Sequence, residues 1–204
     1  FSINLHDEYR IDFSVFGDLT TQKTLKPDVE TITQIQEKMN REEFPFTLDS
    51  SASLDYGTGV PLFFLTENMK DVSIIPVSYS GLSSKEHVQF GSHMKDVLVS
   101  SSKRIAVIAS GDLSHCLSED SPVGFRPEGA EYDALINEAV SNFSTSVLLS
   151  TSNELLEQAQ ACVHQQLLIL FGVLEHKKVR TELLSYEAPF GVGYLVAQFH
   201  FPSV

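Results

Sequence analysis

The stretch that most constrains this chain is Arg104-Ile-Ala-Val-Ile-Ala109, which runs without a break into Ser110-Gly-Asp-Leu-Ser-His115. A short apolar run closed by glycine and polar residues is the pattern of a strand buried on both faces. Such strands need helices on either side of their sheet, and the remaining sequence supplies them. Val29, Ile32, Ile35 and Met39 share a face behind Pro27-Asp28. Phe90, Met94, Val97 and Leu98 follow Ser83-Ser84-Lys85-Glu86, a capping box in which serine and glutamate satisfy each other's end amides. Tyr132, Ile136, Ala139, Val140 and Phe143 mark another amphipathic helix. Thr151-x-x-Glu154 caps a further one, and a nearly all-apolar helix follows Cys162 and takes in Leu167 to Leu174. Strand-like segments alternate with these. Ile3 to Val15, broken by a polar turn at His6-Asp7-Glu8, predicts two strands or one hairpin, and Val72 to Ser78 predicts a short strand. Val179 to Tyr186 and Val192 to Phe201 predict a closing pair around Pro189-Phe-Gly-Val-Gly193. The expected fold is α/β: a single layered domain over residues 1–204, with a central mixed sheet flanked by helices on both faces. No repeat, low-complexity tract or linker interrupts it.

At 204 residues, 42% hydrophobic and 20% charged, the composition suits one globular core. No apolar run approaches the roughly 20 residues that span a bilayer. Fourteen basic against 27 acidic residues leave a net charge of −13. That field repels duplexes and anionic headgroups, so neither nucleic acid nor membrane is expected as a partner. Two cysteines, Cys116 and Cys162, are too few for a disulfide framework, and no signal peptide is visible. A reducing cytoplasm is the expected compartment. The chain begins at Phe1 and enters an alternating segment at once, as a fragment of a longer protein or a chain missing an N-terminal part would.

In open α/β sheets ligands bind beyond the carboxyl ends of strands, which places a candidate site at Ser110 to His115. Gly111 is read as permitting a sharp turn and Ser114 as orienting the His115 ring. Imidazole passes protons at neutral pH, so His115 is a candidate acid or base; a strand-end histidine that merely bonds a carbonyl is the alternative. Cys162 by itself reads as a small buried hydrophobe at a helix start. Cys162-x-His164 alone falls short of the four ligands a zinc site takes. His87 and His93 are read as lying off the apolar stripe of their helix, on its solvated face. Glu187 either lines the site or positions its turn, and Gly191-Val-Gly193 permits close strand packing rather than phosphate binding.

Ser110-Gly-Asp-Leu-Ser-His115 together with Pro122-Val-Gly-Phe-Arg-Pro-Glu-Gly-Ala-Glu-Tyr-Asp133 resembles a segment of the LigB-like class III extradiol dioxygenases and the Memo superfamily. The likeness is strongest to the proteins of the AmmeMemoRadiSam system. Leu54-Asp-Tyr-Gly-Thr-Gly-Val-Pro-Leu-Phe-Phe-Leu65 and Ser185-Tyr-Glu-Ala-Pro-Phe-Gly-Val-Gly-Tyr194 agree in order. The resemblance implies a LigB-like fold, Fe(II) held by two histidines and one carboxylate with open positions for an aromatic diol and O2, and His115 as acid/base. It also implies that Asp112, Ser114 and Tyr56 belong to the catalytic set, that Asp55 and Glu187 contact substrate, that Cys162 stands near a metal ligand position, and that the chain pairs as a homodimer.

Three departures temper that expectation. Relatives carry Asp-His-Gly where this chain has Asp55-Tyr56-Gly57, and Glu-Cys-Gly where it has Ala161-Cys162-Val163. Their first two metal histidines lie on strands that would precede Phe1. The chain alone is therefore expected to be a dioxygenase relative without ring cleavage. The alternatives are a non-catalytic scaffold for a small aromatic molecule or partner protein, and a Memo-like metal or redox role through Cys162.

Overall fold

A computed structural model describes residues 1–201. The fold is mixed α/β, with seven α-helices and short mixed sheets among the described residues, in line with the class expected. The chain divides into two compact units, Phe1–Gly81 with His93–Ile105, and Leu82–Ser92 with the residues from Ala106 onward.

The first unit contains β1 (Ser2–Asn4), β2 (Tyr9–Phe13), β3 (Asp18–Pro27), α1 (Val29–Arg41), β4 (Thr47–Asp49), α2 (Tyr56–Leu65), β5 (Ser73–Ile74) and β6 (Val77–Ser78). Its strands form two mixed sheets, ordered β4-β1-β6 and β2-β3-β5. β1 and β2 thus enter different sheets rather than one hairpin. β2 instead pairs with β3, a strand of polar alternation that hydrophobic patterning does not reveal. The expected strand at Val72 to Ser78 is cut in two at Ile75-Pro76. Proline has no amide to donate, and the Pro76 carbonyl accepts from the Asn4 amide at 3.0 Å. α1 starts at Asp28, whose side chain accepts from the Thr31 amide, and buries Ile32, Ile35 and Met39. Val29 stays half exposed, because the first turn precedes the buried stretch of the stripe.

The second unit holds α4 (Pro127–Ser141), α5 (Thr145–Ser150), α6 (Asn153–Ala159), α7 (His164–Leu174), β7 (Arg180–Glu187) and β8 (Tyr194–His200). The first half of α3 (Ser84–Ser100) belongs here and the second half to the other unit. The capping box forms as read: Ser83 Oγ and Glu86 bond at 2.7 Å, and Glu86 accepts from the Ser83 amide at 2.7 Å. α6 is capped by Ser152 rather than Thr151, one residue later than expected. α7 is buried along its length, and it crosses α3 where two glycines meet. A Cβ at Gly172 would fall 2.1 Å from the Val88 carbonyl oxygen, and one at Gly91 would fall 2.0 Å from that of Ile169. Phe143, Phe171 and Phe199 close the core, with ring centroids 4.8 to 5.9 Å apart. β7 and β8 form the expected antiparallel hairpin.

The buried strand expected at Arg104 to Ala109 is not formed. Among the described residues none of these six makes a backbone–backbone hydrogen bond, and Ile105, Val107 and Ile108 are 39–47% exposed. The residues have the propensity, but a strand exists only where another strand answers it. No described helix is long and apolar enough to cross a membrane.

Candidate metal centre

Two flanks hold the segment from Asp112 to Leu117. On one side it bonds to the β7–β8 connection: the Leu113 amide donates to the Gly193 carbonyl at 2.9 Å, the Gly193 amide to Ser114 at 2.9 Å, and the Leu117 amide to Gly191 at 3.0 Å. On the other it meets the α6–α7 connection, where the His115 amide donates to Ala159 at 3.1 Å and the Cys162 amide to Asp112 at 3.2 Å. Gly111 serves this second contact. Its φ is not positive, so no special turn is needed there, but a Cβ would lie 2.9 Å from the Val163 Cα.

The His115 ring is set by Asp112 and Gln160, not by Ser114. Nδ1 lies against the Gln160 carbonyl, and Nε2 is 3.2 Å from Asp112 Oδ2. Ser114 is fully buried, and its Oγ has no hydrogen-bond partner among the described residues. A carbonyl can only accept, so Nδ1 carries a hydrogen. The Nε2 lone pair of a neutral ring would then face a carboxylate. Two acceptors on one imidazole are satisfied by a second proton, or by a cation between Nε2 and the carboxylate.

Cys162 completes the group. Its Sγ accepts the Asp112 amide at 3.1 Å, and one donor atom each from Asp112, His115 and Cys162 lie within 4.8 Å of one another. Burial pushes the Cys162 thiol above its ordinary range, with the Asp112 charge adding to it and the Asp112 backbone bond opposing it. Tyr194, at the start of β8, faces the same charges: its phenol is raised first by burial, then by Asp112 and Cys162.

The sequence profile of the catalytic LigB subunit of aromatic ring-opening dioxygenase matches residues 6–197. The chain belongs to the LigB family. It is also similar to Protein CA_C1420 of Clostridium acetobutylicum, with 32% identity over 197 residues that make up 92% of this chain and 42% of that protein. The chain therefore spans less than half the length of that relative.

The LigB cluster unites three of the residues singled out in the sequence, Asp112, His115 and Cys162. Asp55 and Tyr56 lie in the first unit. Asp55 caps α2 through the Thr58 amide at 2.8 Å, and the exposed Tyr56 meets Phe16 edge-on. Glu187 is the exposed end of β7, in register with Tyr194. His164 is not one of the three; its Nδ1 lies 3.4 Å from the Tyr132 hydroxyl, and burial lowers its pKa to about 4. His87 and His93 are not on a solvated face. His87 is 1% exposed, and the Nε2 of His93 is buried without a hydrogen-bond partner among the described residues. His87 stands three residues before Phe90 and seven before Met94, so it shares the apolar stripe after all.

Sequence reading missed Tyr194, the Gln160 carbonyl and Asp133. For Asp133 a signal existed: with Ile136 and Val140 it follows the i, i+3, i+7 spacing of a buried helical face, an unusual place for a carboxylate.

Proposed function

We propose that this LigB chain is a divalent-metal site, with Asp112, His115 and Cys162 as ligands to Fe(II), and that it binds a small aromatic molecule without opening its ring. The observation that carries the reading is the His115 ring held between two acceptors, Gln160 and Asp112. A metal-ligating histidine typically donates its other N–H to a carbonyl or carboxylate, which is the bond His115 has with Gln160. Carboxylate, imidazole and thiolate together suit a cation of intermediate softness.

Bound iron would supply the redox chemistry and the polarisation of substrate oxygens that these side chains lack. The residues themselves hold and move protons. With Nδ1 committed to Gln160, the Nε2 lone pair of His115 is what a metal would take, and protons compete with a metal for it. Cys162 must release its proton to ligate, which also favours binding as pH rises. Tyr194 offers a phenol toward a ligand. A reducing cytoplasm would keep Cys162 as a thiol.

Ring cleavage is not expected of the 204 residues alone. Dioxygenases with a facial triad use two imidazoles and a carboxylate, whereas this cluster has one imidazole and Tyr56 stands where relatives place another. Acid–base help from His115 by itself is worth about 10²–10⁴-fold, too little to replace metal activation of O2.

Anaerobic Fe(II) titration by calorimetry tests the site. One equivalent should bind, and Cys162→Ala and His115→Ala should each weaken it at least about tenfold. Absence of binding would leave the second reading, a scaffold for a small molecule or partner protein, which the exposed Ile105, Val107 and Ile108 favour. Measurable catechol turnover by the chain would refute the claim of inactivity.

A further inference from the structure

Asp133 is 2% exposed, and no cation pairs with it among the described residues. A buried carboxylate without a counter-charge is costly, so its partners must each be strong donors. Oδ1 accepts the Ser114 amide at 2.9 Å, and Oδ2 accepts the Tyr186 hydroxyl at 2.7 Å. The first bond grips the residue next to His115, and the second grips β7. The hairpin is shaped to let the carboxylate in, since a Cβ at Gly193 would fall 2.0 Å from Oδ2. The Gly193 backbone in turn bonds both Leu113 and Ser114. The Tyr186 phenol is raised by burial first and by Asp133 next, which keeps it a donor.

We infer that Asp133 is the positioning residue of the cluster: by accepting the Ser114 N–H and the Tyr186 O–H together, it fixes the Asp112–His115 segment against the hairpin and sets where both ligands stand relative to Cys162. The inference rests on the metal reading only in calling Asp112 and His115 ligands; the clamp itself is a matter of the free protein. Its essential feature is one side chain spanning two donors, not the charge. Asparagine can keep that span: its Oδ1 accepts from Ser114, and its amide donates to the Tyr186 oxygen once the phenol turns its hydrogen aside. Alanine cannot.

The test uses the full chain with Asp133→Ala, Asp133→Asn and Tyr186→Phe. Co(II) affinity and the thiolate-to-Co(II) charge-transfer band report the ligand geometry. Amide hydrogen exchange in the metal-free protein reports the clamp. Asp133→Ala should weaken Co(II) at least about tenfold and diminish the band. It should also speed exchange at Leu113, Ser114 and Gly193 while α7 stays protected. Asp133→Asn should restore affinity to within about threefold of the parent, and Tyr186→Phe should fall between the two. If Asp133→Ala leaves affinity and local exchange unchanged, or if Asp133→Asn loses as much as Asp133→Ala, the inference is overturned. Should the parent protein bind no Co(II), the metal reading fails separately. Exchange then decides, with local acceleration at the three amides supporting the clamp and uniform acceleration refuting it. If Asp133→Ala does not fold, the same two outcomes are read from Tyr186→Phe.

Discussion

Leu167–Leu174 and Arg104–Ala109 are both short apolar runs beside residues of the cluster, yet they end in opposite environments. The apolar side chains of the first are 0–8% exposed within α7, whereas Ile105, Val107 and Ile108 of the second keep 39–47% of their surface. The difference lies in how each backbone is satisfied. A helix closes its own hydrogen bonds and needs from its neighbours only side-chain contact, which α7 finds across the Gly91–Gly172 crossing. A strand must borrow its bonds from another strand, and no described strand answers 104–109. The cluster draws on both sides. Cys162 comes from the entrance to the buried helix, while Asp112 and His115 follow directly on the unpaired run. Their position depends on the hairpin, the α6–α7 connection and Asp133 rather than on the segment that delivers them.

The largest expected effect lies in α7. Leu168→Ala removes a fully buried side chain at the centre of the second unit's core. Backbones already in contact at the glycine crossing cannot close further over the void, so the loss should be about 3–5 kcal/mol in denaturant unfolding. A loss under about 1 kcal/mol would mean that this core repacks freely and that burial in α7 is not what distinguishes it.

Acid should probe the same helix from within. Burial lowers His164 to about 4, against an unfolded value of about 6.5. The folded state therefore holds fewer protons than the unfolded one between those values, and stability rises with pH across that window. The contribution is fully present above about pH 6.5 and falls by roughly 3 kcal/mol as pH drops through 4. His164→Gln should flatten that slope in urea unfolding followed against pH. An unchanged slope would show that His164 takes up its proton in the folded protein as readily as in the unfolded.

Much of this was legible because it is local. The Asp28 cap of α1, the Ser83–Glu86 box, the all-apolar α7 and the hairpin of β7 and β8 each follow from patterns within one continuous stretch of sequence. The features that escaped are decided by which segments pair rather than by residue pattern. β3 is mostly polar and exists because β2 pairs with it. Ile75-Pro76 divides one apolar run between two sheets. At the site, Asp112 and His115 were legible from their motif, and Cys162 from its chemistry. That Ser114 would leave the ring to Asp112 and Gln160 was not, because Gln160 reaches His115 from 45 residues away with a backbone atom. Such an acceptor has no signature in residue type.

The smallest effect should come from the exposed run, and it is the most direct check on the contrast with α7. Ile108 is 47% exposed, so Ile108→Ser gives up little buried surface and opens no cavity. Its unfolding free energy should stay within about 0.5 kcal/mol of the parent, as for surface substitutions generally. The substitution should be felt in association instead. An unpaired apolar segment invites another chain to add a strand, and a serine there lowers that tendency. Sedimentation at rising concentration should show less self-association for Ile108→Ser than for the parent, while Leu168→Ala changes stability first. A loss from Ile108→Ser as large as that from Leu168→Ala would mean that 104–109 is covered in solution, and the two runs would then differ only in the partner that buries them.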